Sequence, residues 1–109
     1  MRLLVFLVVV AALQQSVTIA PPTASVAIKT FQFAPDTLRV AAGTKVIWMN
    51  QDDIEHTVTA GTPPKLGAAF DAVLRTKGST IERTFERPGT FTYFCDRHQF
   101  MRGTITITR

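Results

Sequence analysis

The sequence predicts an all-β fold, a single β-sandwich. Three observations lead there. Short stretches alternate apolar and polar residues, as in Ile81-Glu82-Arg83-Thr84-Phe85 and Thr104-Ile105-Thr106-Ile107-Thr108. Turn signals separate such stretches at short intervals: Pro35-Asp36, Ala42-Gly43-Thr44 and Pro88-Gly89. The chain shows no long amphipathic helix, internal repeat or low-complexity tract. At 109 residues it is one domain at most, and that length can bury a core without disulfide staples.

The elements follow in order. Residues 1–20 read as an export signal, with Arg2 as a minimal positive start and Leu3 to Leu13 as an unbroken apolar run. That run is too short to span a bilayer comfortably. Thr18-Ile19-Ala20 is the first candidate cleavage site, with Ala24 and Ala27 as later ones, and the membrane enters only if the leader stays as an anchor. No Cys follows the apolar run, so the lipoprotein route is closed. The β domain is expected over 25–109. Val26 and Ile28 alternate with small or polar residues, and Phe31 and Phe33 bracket Gln32, so this segment reads as extended. Leu38 and Val40 begin a second extended piece. Val46, Trp48 and Asn50 share one strand face, with Ile47 and Met49 on the other. Gln51-Asp52-Asp53 is a polar loop, after which His56 and Val58 point inward together. Ala60 to Gly67 reads as an irregular connection because of Pro63-Pro64. Ala69 to Leu74 fits a short strand or one helical turn equally. Phe91, Tyr93 and Cys95 share a face of the next strand, with Phe94 opposite.

Charge excludes more than it suggests. The net charge of +4 is spread over scattered Lys and Arg from Lys29 to Arg109. No dense basic run points to nucleic acid. The single cysteine rules out an internal disulfide. In an exported protein a lone thiol is an oxidation hazard unless it is buried or bound to metal.

The chemistry concentrates in Cys95-Asp96-Arg97-His98-Gln99-Phe100-Met101. This loop holds the only Cys, one of two His and one of three Met. The other histidine, His56, approaches from a distant strand. Two His, one Cys and a weakly held Met form the ligand pattern of blue-copper electron-transfer sites. The candidate ligands are therefore His56, Cys95, His98 and Met101, and the implied cofactor is one copper ion. Each residue has a plainer role open to it: His56 as a hydrogen-bonded core residue, Cys95 as a small hydrophobe and Met101 as packing. Structural zinc prefers more Cys or His ligands and tolerates a thioether poorly. A Cys/His nucleophile pair lacks a third group to orient the His, so no enzyme activity is expected.

These motifs resemble the cupredoxins, the small type I copper proteins, and within them the amicyanin, pseudoazurin and plastocyanin group. The resemblance rests on Phe33-Ala34-Pro35 with Val40 and Gly43, on Val46-Ile47-Trp48-x-Asn50, and on His56-Thr57-Val58. It continues through Pro88-Gly89-Thr90-Phe91-x-Tyr93-x-Cys95 and His98-x-x-Met101-Arg102-Gly103. The short Cys-x-x-His-x-x-Met loop is most similar to amicyanin. The resemblance implies a Greek-key β-sandwich, single-electron shuttling between transient redox partner proteins, a monomer, and a periplasmic or otherwise exported location. The alternative is copper binding or delivery without shuttling. It further implies His98 as the exposed ligand in an apolar docking surface, with Phe100, Pro63 and Pro64 as contributors. Asn50 matches the residue that ties the ligand loops together. Relatives commonly carry a small hydroxyl residue and a proline where this chain has Asp96 and Arg97. Asp96 would lower the potential and leave the usual loop bridge in question. Arg97 would add a positive charge to the docking face and favour an acidic partner. Phe94 stands where plastocyanins carry a Tyr at a second electron port, and by parity it is a candidate for exposure.

Overall fold

A computed structural model describes residues 2–12, 20–63 and 65–109. Among them lie nine strands and no helix. They are β1 (Thr23–Lys29), β2 (Gln32–Ala34), β3 (Thr37–Ala41), β4 (Thr44–Asn50), β5 (His56–Thr62), β6 (Lys65–Leu74), β7 (Thr80–Phe85), β8 (Gly89–Phe94) and β9 (Arg102–Thr108). One sheet runs β2-β1-β4-β7 and the other β3-β9-β8-β5-β6. The pairs β1·β4 and β3·β9 are parallel and the rest antiparallel. The expected two-sheet sandwich is therefore present.

The period-two patterns set the inner faces. In β4, Thr44, Val46, Trp48 and Asn50 are all buried. In β9 the buried positions are Gly103, Ile105 and Ile107. Fully buried Trp48 sits at the centre, edge-on to Tyr93 at 5.6 Å between ring centroids, with Phe85 beyond at 6.4 Å. Such edge-to-face pairs add to the burial term itself. Arg83 shares the inner parity of β7, as its place between Ile81 and Phe85 requires. Its guanidinium lies over the rings of Phe70 and Phe85, at 5.2 and 5.8 Å, which reconciles a charge with that face. Gly43 takes a positive φ of 90° in the β3–β4 turn, where a side chain would be strained.

Four details differ from the sequence expectation. The segment from Val26 to Phe33 is a hairpin, not one extended piece. Thr30 and Phe31 both have positive φ, 54° and 56°, and Ile28 pairs with Phe33 across the turn. Phe33 is buried whereas Phe31 is 37% exposed. Ala60 to Gly67 is not an irregular connection. β5 runs to Thr62, β6 starts at Lys65, and the two pair at Gly61↔Leu66 and Thr62↔Lys65. Of the two readings open for Ala69 to Leu74, the strand is the one present, as part of β6. Phe94 is fully buried, so its exposure as a second port is excluded. Thr57 and Thr59 are buried as well as His56 and Val58; both faces of β5 are covered, which defeats a simple in–out parity.

Arg2 to Ala12 has no regular secondary structure, and Leu3 to Val10 are exposed. Among the described residues no helix is long and apolar enough to cross a membrane. Leu13, Thr18, Ile19 and Pro64 lie outside the described residues.

Two predictions follow from the core. Gly103 lies under the Tyr93 ring, and a Cβ built there collides with Cζ and Oη of Tyr93. Gly103→Ala should therefore destabilise by about 1–3 kcal/mol, the usual cost of overpacking, read from the urea unfolding midpoint. Burial pushes the Tyr93 phenol up to about 12, with Asp36 adding to the rise and nearby Trp48 moderating it. The folded state thus favours the neutral phenol, and this contribution is complete below the ordinary pKa of 10. It is lost as pH climbs from there through about 12. Tyr93→Phe should flatten that alkaline loss of stability, measured as thermal midpoint against pH. The hydroxyl has no hydrogen-bond partner among the described residues, so its removal should cost little at neutral pH.

Candidate metal centre

The antiparallel β5·β8 ladder brings the distant ligands together. Thr59 pairs with Phe94 and Ala60 with Tyr93. Continuing that register sets Val58 opposite Cys95 and Thr57 opposite Asp96. His56 and Cys95, 39 positions apart in sequence, thereby reach one end of one sheet face. The loop after β8 then returns its own ligand. Met101 N–H donates to His98 O at 2.9 Å, and Cys95 N–H donates to Met101 O at 3.1 Å. These two bonds close the loop on itself and set His98 over Cys95.

The ligand atoms of His56, Cys95 and His98 all lie within 4.8 Å of one another. Cys95 Sγ is 3.8 Å from His56 Nδ1 and 3.8 Å from His98 Nδ1. Typical first-row metal bonds of 2.3 Å to sulfur and 2.0–2.1 Å to nitrogen, opened to a trigonal angle, give roughly 3.8 Å between those atoms. Two imidazoles and a thiol, with the buried Met101 three residues after His98, offer a soft, mixed donor set of the kind that suits copper. The residues therefore fit the ion. His56, Cys95 and Met101 are buried, and His98 is half-buried. His98 is flanked edge-on by Phe31 at 5.0 Å and by Phe100 at 6.3 Å. Phe100 is 71% exposed.

Thr57 bridges the two ligand segments. Its N–H donates to Cys95 Sγ at 3.4 Å, and its Oγ1 accepts from Asp96 N–H at 2.7 Å. Thr57 Oγ1 and Thr59 Oγ1 are 2.9 Å apart, and Thr59 Oγ1 donates to Asp71 at 2.9 Å. Because Thr59 spends its proton on Asp71, Thr57 donates to Thr59 and accepts from Asp96. The direction of the whole chain is fixed by the carboxylate at its end.

Asn50 does something other than tie the two ligand loops. Its Nδ2 donates to Ile54 O and Leu74 O, and its Oδ1 accepts from Asp52 N–H. It braces the Gln51–Glu55 loop ahead of His56 and the end of β6. Asp96 acts through its backbone N–H, while its side chain is exposed. Arg97 is exposed and paired with Glu55, whose other oxygen takes Arg75. The lone positive charge expected of Arg97 is thus shared with a carboxylate beside His56. Pro63 lies at the far end of β5, lining a hollow with Thr92 and Gly103 rather than the His98 end.

Sequence reasoning passed over Asp52 as part of a polar loop. Its Oδ2 lies 2.8 Å from His56 Nε2 and accepts Phe31 N–H at 3.0 Å, while Oδ1 accepts Thr30 N–H at 2.7 Å. Burial pushes its carboxyl up, but the Phe31 and Thr30 amides and then His56 outweigh that and hold it below the ordinary value. The only sequence signal was a carboxylate four positions before a candidate ligand. Thr57 could have been found only as a hydroxyl residue beside His56.

Comparison with known proteins bears on this geometry. The family model for copper-binding proteins of the plastocyanin/azurin type matches residues 22–108. Amicyanin-alpha of Methylorubrum extorquens is 28% identical over 82 residues, covering 75% of this chain and 69% of the relative. Amicyanin of Paracoccus versutus is 29% identical over 82 residues, covering 75% of this chain and 62% of the relative. Among solved structures, a purple cupredoxin from Nitrosopumilus maritimus superposes with a TM-score of 0.71 at 25% identity. That match covers 78% of this chain and 99% of the other.

Thr57→Val keeps the shape of the bridge and removes its acceptor, stranding Asp96 N–H. The expected loss is about 1–3 kcal/mol, read from urea unfolding of the metal-free protein.

Proposed function

The chain belongs to the plastocyanin/azurin family of copper-binding proteins, and we propose that within it the protein is an exported carrier of single electrons rather than an enzyme. His56, Cys95 and His98 would hold the ion, with Met101 as a weaker fourth donor. The chemistry a bound copper would supply there is one-electron exchange between Cu(I) and Cu(II). The observation that carries the reading is the convergence of three ligand atoms, from two segments 39 positions apart, within 4.8 Å.

The residues supply what such a carrier needs. Three of the four donors are buried in a hydrogen-bonded frame, so they have little freedom to rearrange between oxidation states. Burial keeps the Cys95 thiol from solvent oxidants. His98 is half-buried between Phe31 and Phe100. A redox partner protein would dock there briefly, against these rings, and meet the ligand edge directly. The pairing of Arg97 and Arg75 with Glu55 offsets part of their charge, so apolar contact rather than charge would dominate docking by a monomer. Residues 1–20 would serve as an export signal. Cleavage after Ala20 leaves β1 whole, whereas a cut after Ala27 would remove most of the strand that pairs with β4.

The test is to add Cu(II) to the purified domain and record its visible spectrum, with Cys95→Ser beside it. An intense charge-transfer band that vanishes in the variant is the expected result. A colourless protein, or colour that survives the substitution, would overturn the assignment. Fast, reversible cycling on an electrode is expected of a carrier, and ready loss of the metal to an acceptor would instead indicate delivery.

A further inference from the structure

We infer that Asp52 and Phe31 form one positioning unit for the metal centre, in which a single carboxylate orients the buried ligand His56 and seats an aromatic ring against both histidines. This rests on the copper reading above for its consequence, although its geometry is independent of any ion.

The Thr30–Phe31 turn should not form unaided. Thr30 and Phe31 both sit at positive φ, 54° and 56°. A β-branched and a bulky aromatic residue are poor occupants of that region, which favours Gly, Asn or Asp. Something must hold them there. The Asp52 carboxylate does so by accepting both turn amides, at 2.7 and 3.0 Å. The turn then places the Phe31 ring edge-on to His56 at 5.3 Å and to His98 at 5.0 Å. The two imidazoles are 5.2 Å apart, so Phe31 closes a three-ring cluster over the site.

The same carboxylate lies 2.8 Å from His56 Nε2. An ionised carboxylate is acceptor-only, so Nε2 must carry the proton and donate it. In the neutral ring, the form that can bind a metal, His56 Nδ1 is then the free lone pair, and that is the atom 3.8 Å from Cys95 Sγ. Carboxylates bonded to the remote nitrogen of a ligand histidine fix its tautomer and raise its donor strength. Here the negative charge also favours Cu(II) over Cu(I). Three donors thus converge on one side chain: Thr30 N–H, Phe31 N–H and His56 Nε2–H. An asparagine cannot satisfy them all, because one of its two positions is an NH₂ donor facing a donor.

The experiment begins with the metal-free wild-type protein. Nitrogen-15 NMR should show His56 protonated at Nε2, with that proton and the Thr30 and Phe31 amides exchanging slowly. An Nε2 that carries no proton, or rapid exchange at all three positions, would overturn the inference, and this arm needs no variant to fold. Asp52→Asn should release either Thr30 N–H alone or Phe31 N–H together with the His56 Nε2 proton, according to which position its one oxygen takes. It should also weaken Cu(II) binding by about 10- to 100-fold and raise the reduction potential, with partial recovery in Asp52→Glu. Unchanged affinity and potential would overturn it. Phe31→Leu combined with Asp52→Asn should shift affinity and potential by less than the sum of the single changes, since either change already dismantles the unit. Strict additivity would refute the shared role. If the wild-type protein gives no charge-transfer band, the copper reading has failed, and the exchange measurements on the metal-free protein still judge the unit.

Discussion

The arrangement depends on the pairing of β5 with β8. The strands are far apart in sequence and carry one candidate ligand each, at His56 and just past Phe94 at Cys95. Antiparallel pairing through Thr59↔Phe94 and Ala60↔Tyr93 brings the ligand ends level and gives them one face. A slip of one residue would send His56 to the opposite face from Cys95. Register is therefore the quantity the fold must defend. Thr57 defends it at the site, where its N–H reaches the Cys95 sulfur and its hydroxyl holds Asp96 N–H. The hydroxyl chain through Thr59 to Asp71 on β6 carries the same register into the next strand. The polar side of β5 thus fixes what its apolar side presents.

A second frame holds the other wall. Asn50, at the end of β4, spans Ile54 and Leu74 and so ties the loop before His56 to the end of β6. Since β6 also pairs with β5 at His56↔Leu74, the backbone on both sides of His56 is fixed before any side chain contributes. Each bond is worth only about 1 kcal/mol net. Their effect is geometric: a ligand whose neighbours are all satisfied has no better place to go. The same satisfaction is missing at Trp48 Nε1 and Tyr93 Oη, both buried without partners among the described residues. The core tolerates these orphans deep among its rings, whereas the buried polar groups beside the metal centre are bonded.

Much of this was legible in the sequence, and the boundary has a physical cause. The candidate ligand set could be read because Cys, His and Met are chemically rare and their loop spacing is local. β4 and β9 could be read because one buried face imposes period two. The order was misread wherever a long-range partner overruled a local preference. Thr30-Phe31 carries no turn signal, and its conformation becomes intelligible only once Asp52 is seen to accept both amides. Pro63 suggested a broken connection, yet β5 and β6 pair on both sides of it. Phe94 and Thr57 looked outward by parity, but at this end of β5 and β8 the outer positions Phe94, Thr57 and Thr59 are covered too, although Thr90 and Thr92 on the same face of β8 are exposed. Alternation reports burial on one face; it says nothing of a second covered face.

The division between buried and exposed ligands also has a consequence for how the centre meets its surroundings. His56, Cys95 and Met101 are enclosed by strands whose positions are set by the core. His98 hangs on the five-residue return between Cys95 and Met101, so core packing constrains it least. Its restraints are the loop bond from Met101 N–H to its carbonyl and the rings of Phe31 and Phe100. Those rings are also the apolar surface beside it. A partner that covered Phe31 and Phe100 would exclude water from the one ligand that water can reach and would strengthen local electrostatics there. The side chains that hold His98 in place are thus the ones a partner would touch. Docking and ligand restraint would then act through the same two rings, and the turn that carries one of them is anchored on the Asp52 carboxylate.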